Sequence, residues 1–269
     1  MTASKLTGSE IVQTIRERGL CCVPDVFSGA ECRDFCEILE TVAGNLRDSG
    51  RYFGSSSTQV IYNYFAYDER TYPLLAHPLI EQVMTALIDD DYVLVSPSAR
   101  NPRISDQYPG GRPASGEGWH VDSRVADPKT GALFQPSMSF YAVIALEPFR
   151  RSNSATHYLP ESHLRYQRPP DRNAELSYEV MEAGAGSIVF FDSALWHRTG
   201  APSKASRWSI FNMYGPWFMK PYFRFSDEIA RVTLERMPTN VQKLLHLCST
   251  PPRNPDARLG TITQTAMFD

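Results

Sequence analysis

Apolar positions recur with a helical period at two places early in the chain. Between Ser9 and Arg18, Ile11, Val12 and Ile15 share one face, Ser9 is placed to cap the start, and Gly19 follows the end. Ser28 opens a longer helix to about Asn45, with Cys32, Phe35, Ile38, Leu39 and Val42 on its apolar stripe. Leu20 to Val23 is a short apolar strand stopped by Pro24, and Tyr62 to Tyr67 is aromatic and strand-like. Tyr72 to Leu87 reads as a helix, interrupted or started near Pro78, and Tyr92 to Ser96 as a strand. Residues 101 to 136 are rich in Gly, Pro, Ser and Asp, a long loop of the kind that carries function in a compact domain. Four β-branched and aromatic runs follow, at 137–146, 177–182, 186–192 and 207–215, separated by turn residues. Helical patterning returns over Ser226–Met237 and Thr239–Leu247.

Helices lie outside and strands fill the middle and late portion without βαβ alternation, so the pattern predicts a mainly β protein: an antiparallel core with flanking helices. With no repeat and no low-complexity linker, one domain over 1–269 is expected, with a helical N-terminal part at 1–90, a β core at about 92–216 and C-terminal helices at 226–248. An apolar content of 42% suits a chain with a real core. A formal charge of -3 and the absence of a Lys/Arg block argue against a nucleic-acid partner. No apolar run is long enough for a membrane span, and the opening residues lack the apolar stretch of a signal peptide. Cys21, Cys22, Cys32, Cys36 and Cys248 form no C-x-x-C pair and read as free thiols. A cytoplasmic setting is expected; the oligomeric state is not legible.

The long loop contains Gly118-Trp119-His120-Val121-Asp122. On extended backbone, residues two apart point to the same side, so His120 and Asp122 would be presented together. His197 follows a later apolar strand and leads through a turn-rich connection to Arg207. That connection predicts His197 and Arg207 on adjacent antiparallel strands, with Thr199 on the face of His197 and Ser209 on the face of Arg207. Two imidazoles and one carboxylate on one face of a metal leave positions open for a chelating cosubstrate and O2, an arrangement suited to Fe(II). A guanidinium beside it suits the far carboxylate of a dicarboxylic cosubstrate, with hydroxyls from Thr199 and Ser209 to complete it.

These residues resemble the phytanoyl-CoA dioxygenase-like family of non-haem Fe(II)/2-oxoglutarate oxygenases. The resemblance covers most of the chain: the opening "IVQTIRERGLCCVPDVFSGAECRDF", the "HVD" triplet, "YAVIALEPF", "SNSATHYLPESH" and "GSIVFFDSALWHRTGAPSKASRWSIFNMY". It implies a double-stranded β-helix, or jelly roll, with His120, Asp122 and His197 on iron and Arg207 with Thr199 on 2-oxoglutarate. Glu161 stands where the family has the glycine of its P-G-S-H segment, Val121 where it often has Gln, and Val143 where a Trp is usual. The upstream cosubstrate contact is left open between Gln107, Arg100 or neither, and His157 and His163 read as structural. The implied reaction consumes 2-oxoglutarate and O2, releases succinate and CO2, and hydroxylates an unactivated C–H. Epimerisation, desaturation or cyclisation use the same centre.

Tyr62, Tyr64, Phe134 and Tyr141 are candidates to line a substrate cavity suited to a medium-sized, lipid-like or natural-product small molecule, as in secondary metabolism. Two competing readings use the same scaffold: a redox-silent metal hydrolase, which has no need of Arg207 and for which no H-E-x-x-H base is present, and a non-catalytic jelly-roll binding protein.

Overall fold

The computed structural model describes residues 6–51, 53–55, 58–103, 118–123, 126–201, 203–225, 229 and 231–247. Chain order gives helix α1 (Gly8–Arg18), strand β1 (Leu20–Val23), helix α2 (Gly29–Asp48), strands β2 (Phe53–Ser55) and β3 (Thr58–Tyr62), helix α3 (Pro78–Leu87), strands β4 (Val93–Asn101), β5 (Phe140–Ala145), β6 (His157–Tyr158), β7 (Glu179–Val180), β8 (Ile188–Asp192), β9 (His197–Arg198) and β10 (Ser209–Gly215), then helices α4 (Arg231–Arg236) and α5 (Thr239–Leu244). The protein is mainly β, as expected, with two antiparallel sheets and flanking helices. The described strands form a seven-stranded sheet, ordered β1-β8-β5-β10-β4-β3-β2, and a three-stranded sheet, ordered β7-β6-β9. They do not close into a barrel.

The strands of the large sheet alternate between two covered faces. Ala142, Ile144, Ile188, Phe190, Ile210 and Tyr214 point to the helices and join Ile11, Ile15, Phe35, Leu39 and Val83 in the main core. Tyr141, Val143, Val189, Phe191 and Met213 point the other way and meet Leu195, Ala155 and Phe149 in a second apolar layer, on the side of the small sheet. Both faces being buried explains why β5 and β8 read as continuous apolar runs rather than alternating ones.

Local chemistry explains where elements begin. Capping boxes close the N-termini of α1 and α2, with Thr7 and Glu10 in the first, two residues before Ser9, and Ser28 and Glu31 in the second. The helix expected over Tyr72–Leu87 is split. A 3-10 turn runs over Glu69–Leu74, and α3 starts afresh with the His77 ring accepting from the Leu79 amide and Pro78 at the first helical position. The strand expected at Tyr62–Tyr67 ends early because Asn63 turns into the left-handed region (φ 50°), followed by a 3-10 turn over Tyr64–Ala66. Three strands, β1 to β3, come from the largely helical N-terminal part, and β1 pairs with β8 at one edge of the large sheet.

Glu161 has φ 62°, the left-handed conformation in which a side chain is strained and glycine is not. Glu161→Gly is therefore expected to leave stability unchanged or to raise it by up to about 1 kcal/mol, relief of strain outweighing added unfolded-state entropy. Chemical denaturation checks this; a loss of more than about 1 kcal/mol, the usual penalty of a new glycine, would contradict it.

Candidate metal centre

The segment carrying His120 is fixed by its neighbours before any metal is considered. Trp119 donates its amide to the Arg172 carbonyl and its indole nitrogen to the Ala174 carbonyl, at 2.8 and 3.0 Å. Gly118 is needed for that approach: a Cβ there would stand 2.7 Å from the Arg172 side chain and 3.0 Å from its carbonyl oxygen. The Arg198 guanidinium covers the Trp119 ring at 4.7 Å. One residue on, His120 and His197 form an antiparallel bridge, each amide donating to the other's carbonyl at 3.0 Å. The Asp122 amide donates to the Ser193 carbonyl at 2.9 Å. The chain thus brings His120 and Asp122 beside the end of β9, with a hydrogen-bonded backbone setting the register.

The side chains then converge. One ligand atom from each of His120, Asp122 and His197 lies within 4.8 Å of the others. The Nδ1 atoms are occupied by main-chain carbonyls, Gly118 for His120 and Leu195 for His197, each at 2.8 Å. Each ring therefore donates through Nδ1 and turns its Nε2 atom toward the carboxylate, the orientation a metal-binding histidine takes. The Nε2 atoms lie 3.9 and 3.4 Å from the two Asp122 oxygens. His197 is buried and braced by the Phe191 ring, whereas His120 and Asp122 are partly open.

Electrostatics favour the ligating states of His120 and Asp122. Burial, then the neighbouring His197, push His120 down to about 4. Burial works against the charge of Asp122, but the His197 hydrogen bond and the positive fields of His197, His120 and Arg100 outweigh it and hold the carboxyl below its usual range. In His197 burial is likewise outweighed, here by the Asp122 hydrogen bond, and its affinity for a proton rises. A cation between the three groups competes with that proton. The buried Tyr141 ring stacks on Phe191 at 4.7 Å, with its hydroxyl beside the Asp122 carboxylate.

Arg207 is 2% exposed and lies in the layer between the sheets, its guanidinium 4.2 Å above the Phe149 ring. Its Nε and one terminal nitrogen have no hydrogen-bond partner among the described residues. A buried cation with unused donors needs an acceptor, and a carboxylate fits a planar fork. Burial, then repulsion from Arg100, bring it down to about 9, with Glu147 acting the other way, so it stays cationic at neutral pH. Its amide donates to Asn101 Oδ1, Asn101 donates to Ser206 Oγ, and Ser206 donates to Glu147, at 2.9, 3.0 and 2.6 Å. Arg100 donates its Nε to Ser98 Oγ, covers Phe211 at 5.1 Å, and exerts its field on the triad and on Arg207.

The positions singled out in the sequence divide accordingly. The triad assembles as expected. His197 and Arg207, however, do not occupy adjacent strands: β9 belongs to the small sheet and β10, which Arg207 precedes, to the large one, so the residues approach from opposed layers. Thr199 follows β9 and is half-buried. Ser209 is buried and spends its hydroxyl proton on the Arg100 carbonyl at 3.0 Å, so it is not turned toward an added carboxylate. Gln107 lies outside the described residues. Tyr64 is a core residue on the helix side: it is buried and its hydroxyl bonds to Asn212 at 3.2 Å, which removes it from any cavity lining. Tyr62 packs on Phe223, and Phe134 is exposed. His157 stacks on Tyr178, and His163 bonds to the Arg16 carbonyl, both away from the triad. Asn101 and Glu147, which hold the Arg207 backbone and charge, carry no sequence signal; neither do Met213, Met219, Lys220, Pro221 and Tyr222, which with Asp122 and Ser139 line a cavity of about 570 Å³.

Comparison with known proteins gives the same picture. Dioxygenase af480 of Aspergillus fumigatus is 25% identical over 178 residues, covering 65% of this chain and 54% of that protein. The chain spans between 38% and 54% of the length of the curated relatives it matches. Among solved structures, the fold is similar to the non-haem α-ketoglutarate-dependent carbocyclase SnoK from nogalamycin biosynthesis (TM-score 0.59, 18% identity, 88% of this chain and 94% of that one). It is equally similar to HygX from Streptomyces hygroscopicus, solved with nickel and 2-oxoglutarate bound (TM-score 0.59, 16% identity, 82% and 91%). The model of the phytanoyl-CoA dioxygenase (PhyH) family matches residues 15–209, most of the chain and every residue of the triad, and the protein belongs to that family.

Proposed function

We propose that this chain is an Fe(II)- and 2-oxoglutarate-dependent dioxygenase that hydroxylates an unactivated C–H of a small molecule. The observation that carries the reading is the convergence of His120, Asp122 and His197, both Nε2 atoms turned to the carboxylate, in a fold layer that also buries the Arg207 guanidinium with donors to spare. Fe(II), 2-oxoglutarate and O2, when bound, supply the oxidising chemistry, with succinate and CO2 as co-products. The chain supplies the rest. Gly118 and Leu195 carbonyls fix the imidazole tautomers. Tyr141 steadies the Asp122 carboxylate. Arg207 offers a fork to the far carboxylate of the cosubstrate, and Thr199 a hydroxyl nearby. Val143, Val189, Phe191 and Leu195 keep the layer dry, which strengthens each charged contact.

A hydrolase built on the same three ligands has no use for a buried guanidinium with unused donors, and that cation favours the oxygenase. The similar folds include a carbocyclase, SnoK, and an epimerase, SnoN, so hydroxylation is one of several outcomes open to this centre. Both belong to nogalamycin biosynthesis, which supports a small-molecule substrate and a place in secondary metabolism. No helix among the described residues is long and apolar enough to cross a membrane.

The test is succinate release from 2-oxoglutarate by the Fe(II)-loaded full chain, with and without a panel of small molecules. Slow uncoupled release, accelerated by one class of the panel and abolished by replacing Fe(II) with Zn(II), is expected. Zinc-supported hydrolysis of an ester panel with no succinate release would reverse the reading.

A further inference from the structure

The cavity beside Asp122 has a chemically uneven wall. Asp122 and Ser139 line it together with Met213 and with Met219 to Tyr222, which follow β10. This segment is tied back to the sheet: the Tyr222 amide donates to the Val95 carbonyl at 3.0 Å, and the Met219 amide to the Pro216 carbonyl at 2.8 Å. Apart from Asp122, Ser139 and Lys220 the described lining is apolar, made by Met213, Met219 and Pro221 with the Tyr222 ring. Trp217 and Phe218 precede the segment and are exposed, packed edge to face at 5.7 Å.

Two charges are found on the described wall. Asp122 is committed to the metal, which leaves Lys220. Its side chain is exposed, and no carboxylate among the described residues lies within ion-pair distance of it. A lysine stem can follow an apolar wall while its ammonium stays at the wet rim. The metal centre adds to this field. A ferrous ion, Asp122, a dianionic cosubstrate and Arg207 cancel in charge, so the half-buried Arg100 beside them leaves the centre one charge positive. An anion entering the cavity is attracted along its length.

We propose that Lys220 is a specificity-determining residue that selects a substrate carrying one carboxylate on an otherwise apolar body. The inference rests on the oxygenase reading in taking Asp122 as a metal ligand and in the charge of the loaded centre. A single ammonium on the described wall matches a single negative charge. The apolar body lies against Met213, Met219 and Pro221, and the carboxylate remains at the mouth, away from the metal.

Calorimetric titration of the full chain with two acid and alcohol pairs, decanoate against decanol and naphthoate against naphthylmethanol, tests this. Each pair is titrated with Mn(II) and 2-oxoglutarate present, and again without them. The acid of each pair is expected to bind about fivefold more tightly than its alcohol, the scale of an ion pair bordering solvent. The preference falls to about unity in Lys220→Met, which keeps the stem and removes the charge, and reverses in Lys220→Glu. The affinity for 2-oxoglutarate is unchanged in both, which separates a substrate contact from a cosubstrate contact. Equal binding of acid and alcohol by the wild type overturns the proposal. So does a preference that persists in Lys220→Met and disappears in Arg100→Met. Should Mn(II) and 2-oxoglutarate fail to bind, the oxygenase reading falls, while the titrations without them still decide the role of Lys220.

Discussion

His120→Ala is expected to lower Fe(II)- and 2-oxoglutarate-dependent succinate release by more than about a hundredfold, because even the outer hydrogen-bond partners of metal ligands contribute 10- to 100-fold. The loss should fall on metal affinity first. With His120 gone, one imidazole and one carboxylate remain, and the His197 Nε2 to Asp122 contact at 3.4 Å becomes an ordinary hydrogen-bonded pair. The variant should fold. The His120 side chain is partly open, its Nδ1 bond is to the nearby Gly118 carbonyl, and the backbone bridge to His197 does not use the side chain. Circular dichroism should therefore overlay with the wild type, while the rise in Tm that Mn(II) gives the wild type disappears. A variant that keeps the metal-induced rise and the succinate release would remove His120 from the centre, and the oxygenase reading with it.

The triad is legible in the sequence because each part of it is local. An H-x-D on extended backbone puts its two side chains on one side whatever the surrounding fold, and His197 follows shortly after an apolar strand. The sheet arrangement is less legible. Strands β5 and β8 are buried on both faces, so their residues show that they are inside without showing which face meets the helices and which the metal centre. Tyr64 misleads for that reason: an aromatic run looks alike on either face, and the left-handed Asn63 turns this one into the helical core. The expected pairing of His197 with Arg207 fails for another reason. The turn-rich residues 200–205 suggest a hairpin, but the chain uses them to cross from the small sheet to the large one, a change that depends on contacts distant in sequence. Lys220 and the cavity wall follow the same rule, since a lone lysine after a strand carries no pattern until the fold closes around it.

Arg207→Met should have opposite effects on the free and the ligand-bound protein. In the free protein a guanidinium is buried against Phe149 with two nitrogens unpaired among the described residues, a desolvated cation whose charge is opposed by Arg100. Replacing it with an apolar side chain of similar length should stabilise the ligand-free fold by about 1 kcal/mol or more, as apolar replacements of buried charges often do. Its affinity for 2-oxoglutarate should fall by about 3 kcal/mol, more than a hundredfold, since the buried carboxylate loses its partner. Arg207→Lys should recover part of that loss: it restores a positive charge but not the planar fork, and it has a shorter reach from the backbone that Asn101 holds. Thermal unfolding with and without millimolar 2-oxoglutarate, in the presence of Mn(II), reads both effects. The wild type should start lower and rise with the cosubstrate, and Arg207→Met should start higher and stay level. If Arg207 were merely a packing residue over Phe149, the variant would not gain stability when free, and the cosubstrate would raise both proteins equally. That pair of results would break the link between the buried cation and the keto-diacid, and leave the metal triad without the feature that separates an oxygenase from a hydrolase.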